Sequence, residues 1–145
     1  MLFLLLWLFC SLTCGASGEE LRRPDRPDSP VVIVYENDVH CTVDGYSRLV
    51  SLRAEQRMLT PYVTTVSCGD FVQGNVIGSV SQGENVVAIM NRVGYDVVAL
   101  GNHEFDFGMD NFLSIARNTS YKYISCNFMD LRTGAMVFEP YTIIE

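Results

Sequence analysis

From Val31 onward the chain alternates short apolar runs with longer amphipathic stretches. The runs VVIVY (31–35), YVTTVS (62–67), YDVVAL (95–100) and YKYISC (121–126) are rich in β-branched and aromatic residues and predict four strands. Their near-continuous apolarity predicts burial on both faces, as in a parallel sheet. Between the first two, residues 45–59 put Leu49, Leu52, Gln56 and Leu59 on one helical face, with Arg48, Arg53, Glu55 and Arg57 mostly elsewhere. Residues 83–94, bounded by glycines, and residues 109–118 predict two further helices, and Val137 to Ile144 predict a last strand. Strands that alternate with helices imply an α/β fold: a layered parallel sheet with helices on both faces and right-handed crossovers. Sheets of this kind bind ligands beyond the carboxyl ends of their strands.

The first thirty residues break the pattern. Residues 1–14 are almost wholly apolar and lead into Gly15, Ala16, Ser17 and Gly18, which predicts a secretory signal peptide over 1–18. The apolar run Leu2 to Leu12 falls short of the roughly 20 residues that cross a bilayer as a helix. A membrane anchor is therefore the second reading, and the first is a secreted, periplasmic or cell-surface protein without a stable span once the signal is removed. Residues 19–30 (EELRRPDRPDSP) mix charge with three prolines and read as a linker, leaving 31–145 as a single domain.

Charge narrows the partners. Ten Lys plus Arg against 17 Asp plus Glu give a net charge of -7, and no basic stripe exists to hold nucleic acid by its phosphates. An acidic balance suits a cation site better. Loss of the leader leaves Cys41, Cys68 and Cys126, an odd set without CxxC spacing, expected as buried free thiols.

The strand ends are where the chemistry-bearing residues collect. After the first strand comes Asn37-Asp38-Val39-His40, after the second Cys68-Gly69-Asp70, and after the third Gly101-Asn102-His103-Glu104-Phe105-Asp106. Both histidines of the chain are there. Asp38 to Asp70 is 32 residues and Asp70 to Asn102 is again 32, about one strand, helix and return, so successive strand ends should deliver these side chains to one edge. Asp38 and His40, two apart in chain read as still extended, would share a face. Carboxylates, an imidazole and an amide form a mixed N/O set that suits Zn, Mn, Fe or Mg. Asp70, in the middle loop, has two oxygens and could bridge two ions. Two ions about 3.5 to 4 Å apart clamp a phosphoryl group and acidify a bound water, which predicts phosphoester hydrolysis by attack of metal-bound hydroxide. His103 would donate to a phosphoryl or leaving oxygen, with Asp106 holding its other nitrogen. Taken singly, each Asp or Asn is equally a turn former or helix cap, and Gly69 and Gly101 equally a means to a tight turn.

These residues make the chain resemble the calcineurin-like metallophosphoesterases, and within them the secreted 5'-nucleotidase group that includes UDP-sugar hydrolases and cyclic phosphodiesterases. NDVH (37–40), GDFVQG (69–74) and GNHEFDFG (101–108) carry the likeness, which covers residues 31–145. The resemblance implies a metallophosphoesterase-type sheet. It also implies that Asp38 and His40 hold the first of two divalent ions, Asp70 bridges, Asn102 holds the second, and His103 with Asp106 forms the catalytic dyad. Nucleotides are the implied substrates. The family usually has glycine where this chain has Cys41, which puts a thiol near the metal edge. It also completes its metal shell with downstream histidines and carries a C-terminal base-binding domain, whereas no histidine follows His103. The chain therefore reads as the N-terminal part of a catalytic domain, with a truncated non-catalytic product that retains metal or nucleotide binding as the alternative. Among smaller signals, Asn118-Thr119-Ser120 is an N-glycosylation sequon. Glu104 reads either as support for the site or as an exposed loop carboxylate. Phe71, Phe105 and Phe107 read as packing beneath the loops in preference to a substrate mouth, and Arg48 as a solvated helix residue in preference to a phosphate contact.

Overall fold

The computed structural model describes residues 28–144; the predicted signal segment 1–18 and most of the linker lie outside the described residues. Four strands, β1 (Val32–Glu36), β2 (Val63–Ser67), β3 (Val97–Ala99) and β4 (Lys122–Ile124), form one sheet in chain order with every neighbour parallel. The crossovers carry α1 (Tyr46–Leu59), then α2 (Val76–Ser81) and α3 (Glu84–Val93), then α4 (Met109–Ala116). The register aligns Glu36 with Ser67, Ser67 with Val98 and Val98 with Tyr123, so these four share a face. On that face Ser67, Val98 and Tyr123 are buried, and the core adds Val86, Val87, Met90 and Val93 from α3 with Phe112 and Ile115 from α4. The alternate positions of β1 differ, with Ile33 62% and Tyr35 70% exposed.

α1 forms as the sequence predicts but buries another stripe. Leu52 and Leu59 are 44% and 72% exposed, while Tyr46, Leu49, Arg53 and Gln56 turn inward. The cause is Arg53, whose Nη1 donates to the carbonyl of Val93 at the end of α3 (3.0 Å) and whose Nη2 lies 3.6 Å from Asp96. An arginine can bury its stem while its guanidinium satisfies a helix C-terminus, and that bond sets the rotation of α1.

Two segments depart from the sequence reading. α2 is a short helix not predicted there, started by the Asn75 side chain accepting from the Val76 amide (2.7 Å). The predicted strand over 137–144 is absent, and only isolated bridges, Ile124 with Glu139 and Met129 with Met136, mark the tail. Pro140 stands within that segment and has no N–H to give a ladder. Of the thiols expected to be buried, only Cys41 is; Cys68 and Cys126 are exposed, and all three are free. No described helix is long and apolar enough to cross a membrane.

Candidate metal centre at the carboxyl edge

All three polar groups meet at the carboxyl ends of β1, β2 and β3. The loop after β1 continues to pair with the loop after β2 beyond the strands: Asp38 N donates to Gly69 O (3.1 Å), His40 N to Asp70 O (2.9 Å) and Cys41 N to Phe71 O (3.2 Å). The chain is not extended here, contrary to the sequence reading. Asp38 (φ 65°), His40 (φ 45°), Cys41 (φ 59°) and Asp70 (φ 59°) all occupy the left-handed region, at a cost of about 1–2 kcal/mol for each non-glycine residue. Asp38 and His40 therefore meet through a tight coil held by cross-loop bonds, and not through strand alternation. Gly69 (φ 97°) permits close approach, because a Cβ there would collide with the backbone of Gly101.

One ligand atom from each of Asp38, His40 and Asp70 lies within 4.8 Å of the other two. His40 Nε2 stands 2.8 Å from Asp38 Oδ1, close to the ~3 Å edge of a shell with metal bonds of about 2.0–2.2 Å. One nitrogen and two carboxylates at this spacing fit a divalent cation of the Zn, Mn, Fe or Mg kind. The opposite ring nitrogen, His40 Nδ1, is 3.2 Å from Gln73 Oε1, and that bond is the main reason the imidazole's pKa is raised. Gln73 orients the ring, with Nε2 turned to the Asp38 carboxylate. In the sequence Gln73 enters only as part of GDFVQG (69–74) and without a role, since nothing in its place two residues before the Asn75 cap says that it reaches His40.

The loop after β3 enters from the other side. His103 and Asp106 bond through Nδ1 and Oδ2 (2.7 Å), and that bond is the first cause of a raised His103 pKa. The imidazole of His103 packs edge-on to that of His40, with ring centroids 4.8 Å apart. The His103 amide donates to Asp70 Oδ1 (2.7 Å). Asn102 is exposed at the head of this turn, between that amide and Gly101. Glu104, read as either support or an exposed loop residue, is completely buried. Phe71 is buried in the core, while Phe105 packs on Phe112 (4.9 Å) and Phe128 (5.3 Å), which agrees with packing beneath the loops. Cys41 Sγ donates to Phe71 O (3.0 Å) and lies beneath Gly78, so the thiol is spent inside and does not face the carboxylates. Arg48 is exposed on α1.

A parallel α/β sheet whose strand ends gather carboxylates and imidazoles around a cation-sized space defines a candidate divalent-metal site. Residues 31–143 match the calcineurin-like phosphoesterase family, to which the chain belongs. It is 30% identical over 138 residues to a snake venom 5'-nucleotidase of Gloydius brevicauda, covering 83% of this chain and 22% of that protein. It is 29% identical over 109 residues to a 2',3'-cyclic-nucleotide 2'-phosphodiesterase/3'-nucleotidase of Yersinia enterocolitica, covering 70% of this chain and 17% of that one. The chain thus spans about a fifth of the length of these curated relatives. Among solved structures, the calcineurin-like phosphoesterase YfkN of Bacillus subtilis superposes with a TM-score of 0.67 at 26% identity, over 79% of this chain and 42% of that one.

Proposed function

We propose that this chain contributes the first part of the active edge of a nucleotide phosphohydrolase of the 5'-nucleotidase kind. The observation that carries the reading is the convergence of Asp38, His40 and Asp70 within 4.8 Å beside a bonded His103–Asp106 pair. In this reading Asp38, His40 and Asp70 would hold a divalent ion, and Asp70 with Asn102 would supply ligands for a second. The ions, when bound, neutralise phosphate charge and acidify a water. The chain's own residues do the rest. Gln73 orients the His40 ring through Nδ1. Asp106 accepts from His103 Nδ1 and raises its pKa, which favours the protonated ring, and the ring can give a proton from Nε2 to the leaving oxygen of a phosphoester. Nucleotides are the proposed substrates, since the relatives' names specify nucleotide mono- and cyclic esters.

The leader-like residues 1–18 and a relative named for venom support a secreted or cell-surface location. The sequon residue Asn118 is exposed just past α4, a helix that leads away from the metal edge, so a glycan there would stand clear of substrate. Treatment of the secreted protein with an N-glycosidase should lower its mass, and Asn118→Gln should abolish that change.

Calorimetric titration with Mn2+ and assay of AMP and 2',3'-cyclic AMP test the main reading. Metal uptake with hydrolysis lost in Asp70→Asn and His103→Ala supports it; hydrolysis indifferent to both refutes it. The second reading, a metal-binding product without turnover, rests on the three-residue ligand cluster of Asp38, His40 and Asp70, which would hold a single ion. It predicts uptake of one ion and no hydrolysis.

A further inference from the structure

Glu104 is the one charged side chain among the fully buried described residues, and no ion pair among them involves it. A carboxylate in such a place is costly unless its oxygens are met by donors. Three backbone amides meet them: Oε2 accepts from Asp70 N (3.0 Å) and Gly101 N (2.6 Å), and Oε1 from Phe71 N (3.0 Å). The bond to Gly101 alone would be a local cap of the turn that Glu104 belongs to. The bonds to Asp70 and Phe71 reach into a different loop, more than thirty residues back in the chain.

Asp70 answers in kind, since its Oδ1 accepts from the His103 amide (2.7 Å) while its carbonyl accepts from the His40 amide (2.9 Å). Each loop thus lends a carboxylate to the other's backbone. Asp70 needs such a partner, because it stands past the end of β2 and its N–H is met by the Glu104 carboxylate in place of a strand acceptor. With its N–H and carboxylate both engaged by the loop after β3 and its C=O by the loop after β1, the aim of Asp70 follows from where Glu104 holds its amide.

We propose that Glu104 is a positioning residue. Its buried carboxylate sets the left-handed backbone of Asp70 and thereby aims the Asp70 carboxylate at His103 N–H and at the Asp38–His40 pair. This deepens the cation-site reading and rests on it for its functional consequence. Glu104 touches only backbone and is not itself a ligand. Glutamine has the same shape but one oxygen, and its NH2 would have to face an amide N–H.

The test uses the full chain carrying Glu104→Gln, with two readouts. The first is hydrogen exchange at the His103 amide, a group that Glu104 does not touch. The second is Mn2+ affinity by calorimetry. The expected result is exchange about tenfold faster at His103 and Mn2+ affinity weaker by about 10–100-fold. Ile115→Val, a core change away from the edge, should lower melting temperature and leave both readouts unchanged. A folded Glu104→Gln with neither readout altered overturns the proposal, as does Ile115→Val producing the same changes. If Glu104→Gln fails to fold, through-hydrogen-bond NMR coupling between the Asp70 amide and the Glu104 carboxyl carbon in the unaltered chain decides, and its absence overturns the proposal. An unaltered chain that takes up no Mn2+ would refute the cation site, leaving His103 exchange to judge Glu104 by itself.

Discussion

The loops after β1 and β3 bring side chains to the same edge by different means. The β1 loop holds three left-handed residues, Asp38, His40 and Cys41, and its amides are satisfied by the neighbouring loop. The β3 loop is a right-handed 3-10 turn over His103–Phe105, anchored below by Phe105 on Phe112 and Phe128 and inside by Glu104. One loop stores strain and borrows support; the other follows local preference and rests on a core. Strain at exposed polar residues is kept where it serves a site, so the β1 loop should yield stability when relaxed and the β3 loop should lose it when undercut.

The largest effect should come from the contact that joins the loops. Gly69→Ala forces a side chain into the backbone of Gly101 at φ 97° and should cost about 3 kcal/mol or more, read as a lowered urea midpoint. Next, Phe105→Ala should destabilise by about 3 kcal/mol in the same assay, undercutting only the β3 loop. If it weakens Mn2+ binding more than it changes unfolding, the two loops are not separately supported. Asp38→Gly should move the other way, raising stability by about 0.5–1 kcal/mol by relief of the left-handed residue, while Mn2+ affinity falls. A loss of stability there would show that Asp38 is not strained. The mildest change is expected at Glu36, at the base of the β1 loop, whose pKa is raised chiefly by burial. The folded state then holds this proton more tightly than the unfolded chain, so stability falls as pH climbs above the ordinary carboxyl value. Glu36→Gln should match the unaltered chain near pH 4 and melt higher at pH 7, by scanning calorimetry at both.

Much of this edge was legible in the linear chain. Four strands, three of the four helices, and the places of Asp38, His40, Asp70, Asn102, His103 and Asp106 follow from apolar runs and from what stands directly after them, because a parallel α/β chain returns each strand to the same end. The pairing of His103 with Asp106 was legible for a local reason, their spacing within one turn. Asp38 and His40 meet as expected, but by left-handed coil and not strand alternation. Positive φ at non-glycine residues has no periodic signature; it is imposed by bonds to Asp70 and Gly69.

What the sequence by itself determined is therefore the set of groups that share an edge, since strand order and crossover length follow from short-range patterns. Tertiary structure decided how those groups are aimed. The rotation of α1 about Arg53, the ring orientation of His40 on Gln73 and the burial of Glu104 beneath Asp70 each depend on a partner at least thirty residues away. A hydrogen bond selects its partner by position in space, and a residue's type and neighbours along the chain do not carry that position.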